Sequence, residues 1–295
     1  MTFLDGRVAV ITGAGRGIGA SIARLLAANG ARVVVNDLGV ALDGSGADSA
    51  PAKQVVDEII AAGGDAIVDH SDVTDADAAH SLIQTAVDTW GSIDVLVNAA
   101  GILRDRMIFN MSEQEWDDVI RVHLKGHFNT TKPAANFWRE QRNPDAHYRL
   151  INFTSTSGLY GALGQPNYAA AKMGIVGFTY SCANGLARYG VTANAIAPGA
   201  ATRMTDSVPE GRRRARTASD EERSPDNVAP LVAYLAGVES DWLTGRVLGA
   251  SGYDVHLYNN PEPIRTLSAT SRWDVAHLGA QLERVVKPVV VRRPS

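Results

Sequence analysis

A glycine-rich turn near the start of the chain has the residue types and spacing of a phosphate-binding site. Gly13, Gly15, Gly17 and Gly19 lie between an apolar run at residues 8–11 and an amphipathic segment. Glycines let the backbone approach a pyrophosphate closely, and the N-terminus of a following helix supplies N–H donors and a positive partial charge. This context favours a dinucleotide site over a plain tight turn.

A carboxylate follows the next apolar run at the spacing expected for ribose recognition. Asp37 comes 18 residues after Gly19. A carboxylate there accepts hydrogen bonds from ribose hydroxyls and repels a 2′-phosphate, which predicts NAD rather than NADP. Arg16 points the other way, because a cation in the turn can meet a 2′-phosphate. We rank Asp37 above it, with a turn or capping role as the alternative for Asp37.

The elements that position these residues alternate along the chain. Predicted strands cover residues 8–11, 32–35, 65–68, 95–97, 150–153, 191–196 and 246–248, and predicted helices cover 20–28, 55–62, 75–89, 112–138, 167–188 and 225–236. Nearly continuous apolar strands with helices between them indicate a parallel sheet covered on both faces. The sequence predicts an α/β fold: a doubly wound, Rossmann-like parallel sheet in a single domain over residues 1–260.

Three segments fall outside this alternation. Residues 39–50 are rich in Gly, Asp and Ser and predict a loop, and residues 202–223 form a polar excursion with a basic run at Arg212–Arg216. That run is interpreted either as a solvated loop or as a grip on coenzyme A phosphates. Residues 261–295 form an extension with an apolar stripe on a short helix, which we expect to pack on the domain or on a partner subunit.

Composition excludes several classes of protein. The 295 residues carry 28 basic and 32 acidic side chains, a net charge of −4, which disfavours nucleic acid as a partner. The single cysteine, Cys182, cannot form an internal disulfide and is interpreted as a core residue. The histidines lack ligand spacing, so no metal site is predicted. No apolar run approaches the roughly 20 residues that span a bilayer, so we expect no membrane association and a cytoplasmic protein.

Motifs spread along the chain together resemble the short-chain dehydrogenase/reductase family. The family's TGxxxGxG element is matched by Thr12, Gly13, Gly17 and Gly19, and its NNAG element corresponds to Asn98-Ala99-Ala100-Gly101. Its YxxxK element is matched by Tyr168 and Lys172, and its serine 13 residues before the tyrosine is Ser155. Its PG element is Pro198-Gly199, and the threonine that follows is Thr202. The resemblance covers residues 7–252. Residues 36–39, 101–106, 122–124 and 203–205 are similar to the (3R)-hydroxyacyl-CoA dehydrogenase part of the peroxisomal multifunctional enzyme and to its stand-alone bacterial relatives.

This resemblance implies an NAD-dependent oxidoreductase that interconverts a secondary alcohol and a ketone. The substrate it implies is a 3-hydroxyacyl-CoA, with a hydroxysteroid as the alternative, and the assembly is a homodimer or homotetramer. A non-catalytic NAD-binding sensor on the same fold is the alternative from a different class, because fold alone does not fix function.

The tyrosine and lysine of the YxxxK motif could manage the alcohol proton. Tyr168 and Lys172 are spaced i, i+4 and share one helix face, which could also be a plain exposed face. A tyrosine has a reference pKa of about 10, and lowering it by about 3 units takes about 4 kcal/mol, which a nearby ammonium can supply. We therefore expect an acidified Tyr168 as the base. Ser155 would hold the substrate oxygen, with Ser157 as its rival.

Two positions depart from the family pattern, and the remaining cofactor contacts are carried over from it. Ala99 replaces an amide that supports the backbone. His123 replaces the relay asparagine; it could hold the relay water, and its ionisation near neutral pH would add a pH dependence. Asp72 matches the adenine contact, with a helix cap as the alternative. Asn98 is expected against the adenosine ribose, Lys172 on the nicotinamide ribose and Thr202 on the carboxamide. The predicted cofactor residues are Gly13, Gly15, Arg16, Gly17, Ile18, Gly19, Asp37, Asp72, Val73, Asn98, Ala99, Ala100, Gly101, Tyr168, Lys172, Pro198, Gly199 and Thr202.

Overall fold

The computed structural model describes residues 2–41, 46, 48–200, 219 and 221–290. The chain divides into two compact units, Met1–Tyr258 and Asn259–Ser295. The first unit contains the sheet and every site residue discussed below. Of the helices in the described residues, none has the length and apolar character needed to cross a membrane.

The first unit is built on one sheet. Within the described residues its strands are β1 Val8–Thr12, β2 Arg32–Asn36, β3 Asp65–Asp69, β4 Val95–Asn98, β5 Tyr148–Phe153, β6 Val191–Gly199, β7 Arg246–Ser251 and β8 Asp254–Tyr258. Their order is β3-β2-β1-β4-β5-β6-β7-β8, and the pairs from β3 to β7 are parallel. The order reverses between β1 and β4, which is where ligands bind in doubly wound sheets. The predicted fold is confirmed.

The strand at one edge of the sheet, β8, is not among the predicted strands. β8 pairs antiparallel with β7, and Ser251 faces Asp254 across the connection. Gly252 in that connection has a φ of +58°, a conformation that glycine adopts without strain. β8 lacks a recognisable strand pattern in the sequence, because its residues alternate between polar and apolar and are largely exposed, unlike the buried runs of the other strands.

Helices cover both faces of the sheet. In the described part of the chain they are α1 Gly17–Ala28, α2 Ala50–Ala61, α3 Ala76–Trp90, α4 Glu113–Ile120, α5 Gly126–Gln141, α6 Thr156–Tyr160, α7 Pro166–Leu186, α8 Ala229–Ala236 and α9 Val275–Gln281. The continuous helix predicted over residues 112–138 is instead interrupted by a π-helical segment, Arg121–Lys125, between α4 and α5. Such segments often occur at functional sites. α2 begins five residues before its predicted start.

The strands alternate side chains between two cores. Ala9, Ile11 and Val33 pack on one face with residues of α1, α2 and α8. Val10 and Leu96 pack on the other face with residues of α3, α5 and α7. Successive strand residues point to opposite faces, so a continuous apolar run fills both cores at once.

The second unit contains the helix that the apolar stripe predicted. α9 is followed by a π-helical turn, Leu282–Val286, and a short 3₁₀ turn. Asp274 caps α9 by accepting hydrogen bonds from the backbone N–H groups of Ala276 and His277. Packing of this extension on the domain or on a partner subunit stays a prediction.

Candidate active site

The predicted residues converge on a cavity at the carboxyl ends of the strands next to the β1/β4 reversal. Its volume is about 500 Å³, within the usual range for small-molecule sites. The predicted residues that line it are Gly13, Arg16, Gly17, Ile18, Gly19, Asp37, Asp72, Val73, Ala99, Ala100, Gly101, His123, Tyr168, Lys172 and Pro198. Four other predicted residues, Gly15, Asn98, Ser155 and Gly199, do not line this cavity.

The turn between β1 and α1 requires glycine for close backbone packing. A Cβ on Gly13, whose φ is +67°, would lie 2.8 Å from the Cα of Ala100, and one on Gly19 would collide with the Gly13 carbonyl oxygen. α1 begins at Gly17, and the side chain of its N-cap residue, Arg16, makes no capping bond among the described residues. The N-terminus of α1 is therefore suited to an anion at the cavity.

Asp37 is fixed beside this turn. Its Oδ2 accepts a hydrogen bond of 2.8 Å from the backbone N–H of Gly15, and its Oδ1 accepts one of 2.7 Å from Gly39. A carboxylate has about four acceptor positions, so two backbone bonds leave capacity for the hydroxyls of a ribose. The turn and the carboxylate thus fit the phosphates and ribose of a dinucleotide, with Gly15 supporting Asp37 from outside the cavity.

Asp72 belongs to the cavity wall rather than to a helix cap. Its Oδ1 accepts a bond from the backbone N–H of Thr74. Asp75 caps α3, because its Oδ1 accepts bonds from the backbone N–H groups of Asp77 and Ala78. The capping alternative for Asp72 is therefore wrong. Val73 is nearly buried next to Asp72 and lines the same wall.

Asn98 does not occupy the position expected from the sequence. Its side chain is buried, donates to Asn152 and accepts a bond of 2.7 Å from the Thr130 hydroxyl. It points into a polar cluster between β5 and α5, so it is not available to a ribose, and the expected contact is wrong for the side chain. The following loop is supported by Thr12, whose hydroxyl accepts bonds from the N–H groups of Ala99 and Ala100.

Ser155, Tyr168 and Lys172 meet at the end of β5. Ser155 precedes α6, and its hydroxyl accepts a bond from the backbone N–H of Ser157. Ser155 is the hydroxyl that acts on the Tyr168 phenol, where it lowers the pKa, and this favours Ser155 over its rival. The buried ammonium of Lys172 donates to the carbonyl of Phe153 at 2.7 Å and lies 5.5 Å from the centre of the Tyr168 ring.

Burial dominates the protonation of this group. It raises the pKa of Tyr168 to about 12, although Ser155 acts in the opposite direction. It also lowers the pKa of Lys172 to about 7. The acidified tyrosine expected from the sequence is therefore wrong for the chain alone. The reason is that a buried site disfavours both the phenolate and the ammonium, and the i, i+4 spacing carries no information about burial.

His123 lies in the π-helical segment against the tyrosine. Its ring meets Tyr168 edge to face with centres 5.1 Å apart, and its Nε2 lies 2.8 Å from the carbonyl oxygen of Ile102. Burial, with a contribution from Lys172, holds the pKa of His123 well below its usual range. The expected ionisation near neutral pH is therefore wrong. The role of His123 in the proton relay stays a prediction.

The remaining predicted residues lie at or beyond the end of β6. Pro198 lines the cavity. Gly199 packs against β7, where a Cβ would collide with the Ser251 hydroxyl. Thr202 and the basic run Arg212–Arg216 lie outside the described residues.

Two buried residues next to the site, Asn167 and His127, are not among the predicted site residues. Asn167 precedes the tyrosine and is fully buried; its amide donates to the carbonyls of Arg104 and Glu115, and its oxygen accepts from the N–H of Tyr168. His127 lies one turn after His123, and burial lowers its pKa to about 3. A polar residue directly before the motif tyrosine was a signal for Asn167, whereas nothing local marked His127 as buried.

The chain is similar in sequence to known dehydrogenases. The family model described as short chain dehydrogenase matches residues 7–213. The chain is 43% identical over 290 residues to hydroxyacyl-CoA dehydrogenase ChsB1 of Mycobacterium tuberculosis, covering 95% of this chain and 89% of that protein. It is also 43% identical over 255 residues to peroxisomal multifunctional enzyme type 2 of Drosophila melanogaster, covering 86% of this chain and 40% of that protein.

A solved structure is similar over almost the whole chain. The crystal structure of a short chain dehydrogenase from Mycobacterium avium matches with a TM-score of 0.85 at 47% identity. The match covers 99% of this chain and 98% of that one.

Proposed function

The chain belongs to the short-chain dehydrogenase family, and we propose that it is an NAD-dependent dehydrogenase that interconverts the 3-hydroxy and 3-oxo forms of an acyl-CoA. One observation carries the proposal: Tyr168, whose phenol interacts with Ser155 and whose ring centre lies 5.5 Å from the Lys172 ammonium, lines the same cavity as the glycine turn. A proton-handling group and a phosphate-binding turn in one cavity suit the oxidation of an alcohol.

The residues around the cavity fit a nicotinamide dinucleotide. Gly13, Gly19 and the N-terminus of α1 would hold the pyrophosphate, Asp37 the adenosine ribose, and Lys172 the nicotinamide ribose. When bound, the nicotinamide supplies a hydride acceptor or donor and, in its oxidised form, a positive charge. Asp37 favours NAD over NADP, because a 2′-phosphate would approach its carboxylate.

The chain's own residues manage the proton. The Tyr168 hydroxyl exchanges a proton with the substrate oxygen, and Ser155 holds that oxygen by a hydrogen bond. A positive charge near the phenol stabilises the phenolate and opposes the effect of burial on the pKa of Tyr168. Lys172 carries such a charge when it is protonated, and it is anchored to the Phe153 carbonyl. His123 supports the ring of Tyr168 from the side.

The acyl-CoA assignment rests on the relatives. The mycobacterial relative, whose match covers 95% of this chain and 89% of that protein, is named a hydroxyacyl-CoA dehydrogenase. A homodimer or homotetramer stays part of the proposal, as the family resemblance implies.

The experiment follows oxidation of 3-hydroxyacyl-CoA thioesters and hydroxysteroids at 340 nm with NAD and with NADP. We expect turnover of the thioesters with NAD and a drop in kcat of roughly 10²–10⁴-fold for Tyr168→Phe, with NAD binding retained. Tyr234→Phe, on α8 and outside the cavity, is the matched control. Turnover of hydroxysteroids alone would contradict the substrate class. NAD binding without turnover of any substrate would instead favour the sensor.

A further inference from the structure

An ion pair links the glycine turn to the segment between β2 and α2. The Nη2 of Arg16 lies 3.0 Å from the Oδ2 of Asp48. Arg16 lines the cavity, as does Asp37. Both side chains of the pair are accessible to solvent, with 32% of Arg16 and 55% of Asp48 exposed. Arg16 is the cation that, judged by the sequence, could meet a 2′-phosphate. Its pairing with Asp48 therefore affects whether the site prefers NAD or NADP.

Asp48 is held in place by the backbone around it. Its N–H donates to the carbonyl of Gly39 at 3.0 Å, and its Oδ1 accepts a bond of 3.0 Å from the N–H of Ala50 at the start of α2. Gly39 has a φ of +75°, and a Cβ there would collide with the Asp48 backbone. The carboxylate is therefore anchored through its own main chain, with one oxygen directed at Arg16.

Asp37 and Asp48 are connected through the same glycine. The N–H of Gly39 donates to Asp37, and the carbonyl of Gly39 accepts from Asp48. Two carboxylates thus contact the turn that carries Arg16. One of them bonds Gly15 and the other pairs with the guanidinium.

We propose that Asp48 is a specificity-determining residue that engages Arg16 and thereby prevents it from binding the 2′-phosphate of NADP. This inference rests on the proposed use of a nicotinamide dinucleotide. Arginine binds phosphate through paired, charge-assisted hydrogen bonds, so a guanidinium without a carboxylate partner would attract a 2′-phosphate. With Asp48 in place, the phosphate must displace one carboxylate while it is repelled by another. An exposed ion pair adds little to stability, so its main effect falls on ligand choice.

The test uses Asp48→Asn, which removes the charge and keeps an oxygen for the N–H of Ala50. Dissociation constants for NAD and NADP are measured by calorimetry without substrate, at low salt and at 0.5 M salt. We expect the ratio of the NADP constant to the NAD constant to fall about tenfold at low salt, and less at high salt because the interaction is exposed. In an Arg16→Ala background, Asp48→Asn should leave the ratio unchanged.

Asp57→Asn is the matched control. Asp57 is exposed on α2 and pairs with Lys53, and its substitution by Asn changes the net charge by the same amount as Asp48→Asn does. The proposal is overturned if Asp57→Asn shifts the ratio as much as Asp48→Asn does, or if the Asp48→Asn effect persists without Arg16. If the wild type binds NAD and Asp48→Asn leaves the ratio of the two dissociation constants unchanged, this inference alone is contradicted. A wild-type protein that binds neither dinucleotide would contradict the proposed function as well.

Discussion

The Lys172 ammonium lies 5.5 Å from the centre of the Tyr168 ring, and in the wall of the cavity Lys172 is buried and Tyr168 is half-buried. Burial moves the two pKa values toward the neutral forms, to about 12 for Tyr168 and about 7 for Lys172. The phenol and the amine are therefore both held in a medium that disfavours charge. In such a medium, each charge that does enter interacts strongly with its neighbour.

Lys172→Met should change how stability depends on pH. The pKa of the folded lysine is about 7 and its model value is 10.5, so between these values the unfolded chain holds one more proton. Stability of the wild type therefore rises with pH in this window, by at most about 1.4 kcal/mol per pH unit, relative to the methionine variant. We expect a relative gain of roughly 2 kcal/mol between pH 7.5 and 9.5. Urea unfolding without added dinucleotide measures it.

Lys132→Met, at an exposed position of α5, controls for the loss of one positive charge. The prediction fails if the stability difference between wild type and Lys172→Met is flat, or falls, as the pH rises through this window.

His123→Asn and His123→Ala should separate support of Ile102 from proton transfer. An asparagine amide can bond to the Ile102 backbone as the imidazole does, whereas alanine leaves a buried carbonyl unpaired, at a cost of about 1–3 kcal/mol. We expect His123→Asn to keep kcat within about tenfold of wild type by retaining this bond. His123→Ala should lose more activity and unfold at lower urea.

The pH profile of the wild type supplies the second readout for His123. The pKa of His123 lies well below its usual range, because the imidazole is buried. His123 should therefore cause no step in kcat between pH 6 and 8, and the pH profile of His123→Asn should match that of the wild type in this window. A step removed by that substitution would contradict the assignment of His123 as a neutral, positioning residue.

Features that depend on local spacing could be predicted from the sequence. The turn from Gly13 to Gly19 and the carboxylate of Asp37 follow from a motif within one βαβ unit, and the structure brings them together. The fold could also be predicted, because strands that are apolar along their whole length must be buried on both faces, as in a parallel sheet covered by helices on both sides. The choice between roles for Asp72 could not, since Asp72 and Asp75 both precede α3 and either could have capped it.

Features that depend on burial or on contacts between distant segments could not be predicted from the sequence. The rise in the pKa of Tyr168 in the chain without a dinucleotide could not be predicted, because it comes from burial, which depends on segments remote in the sequence. Asn98 was misplaced because Thr130 and Asn152, which bind it, come from α5 and β5. β8 was missed because an exposed edge strand lacks the apolar run by which the other strands were recognised.

Gly101→Ala should be destabilising, and His123→Asn should relieve it. A Cβ on Gly101 would run into the His123 ring, with its Nδ1 at 3.0 Å and Nε2 at 3.1 Å. Overpacking of this kind costs typically about 1–3 kcal/mol. The shorter asparagine should recover part of that cost, which a double-mutant cycle of unfolding free energies measures. Gly177→Ala, where a Cβ meets nothing within 4 Å, is the control and should not destabilise. Equal losses from Gly101→Ala in both backgrounds would contradict the packing.

Asn167→Asp should weaken both the fold and the catalytic tyrosine's support. The side-chain shape is nearly unchanged, but the amide that donates to the carbonyls of Arg104 and Glu115 becomes a carboxylate oxygen facing them. Repulsion at a fully buried position should cost about 2–4 kcal/mol in unfolding free energy. Because Asn167 also accepts from the Tyr168 N–H, kcat should fall more than NAD affinity does. Asn143→Asp, exposed and able to keep its acceptor role toward Asp145, is the matched control; equal stability of the two variants would show that the Asn167 amide does not hold these segments together.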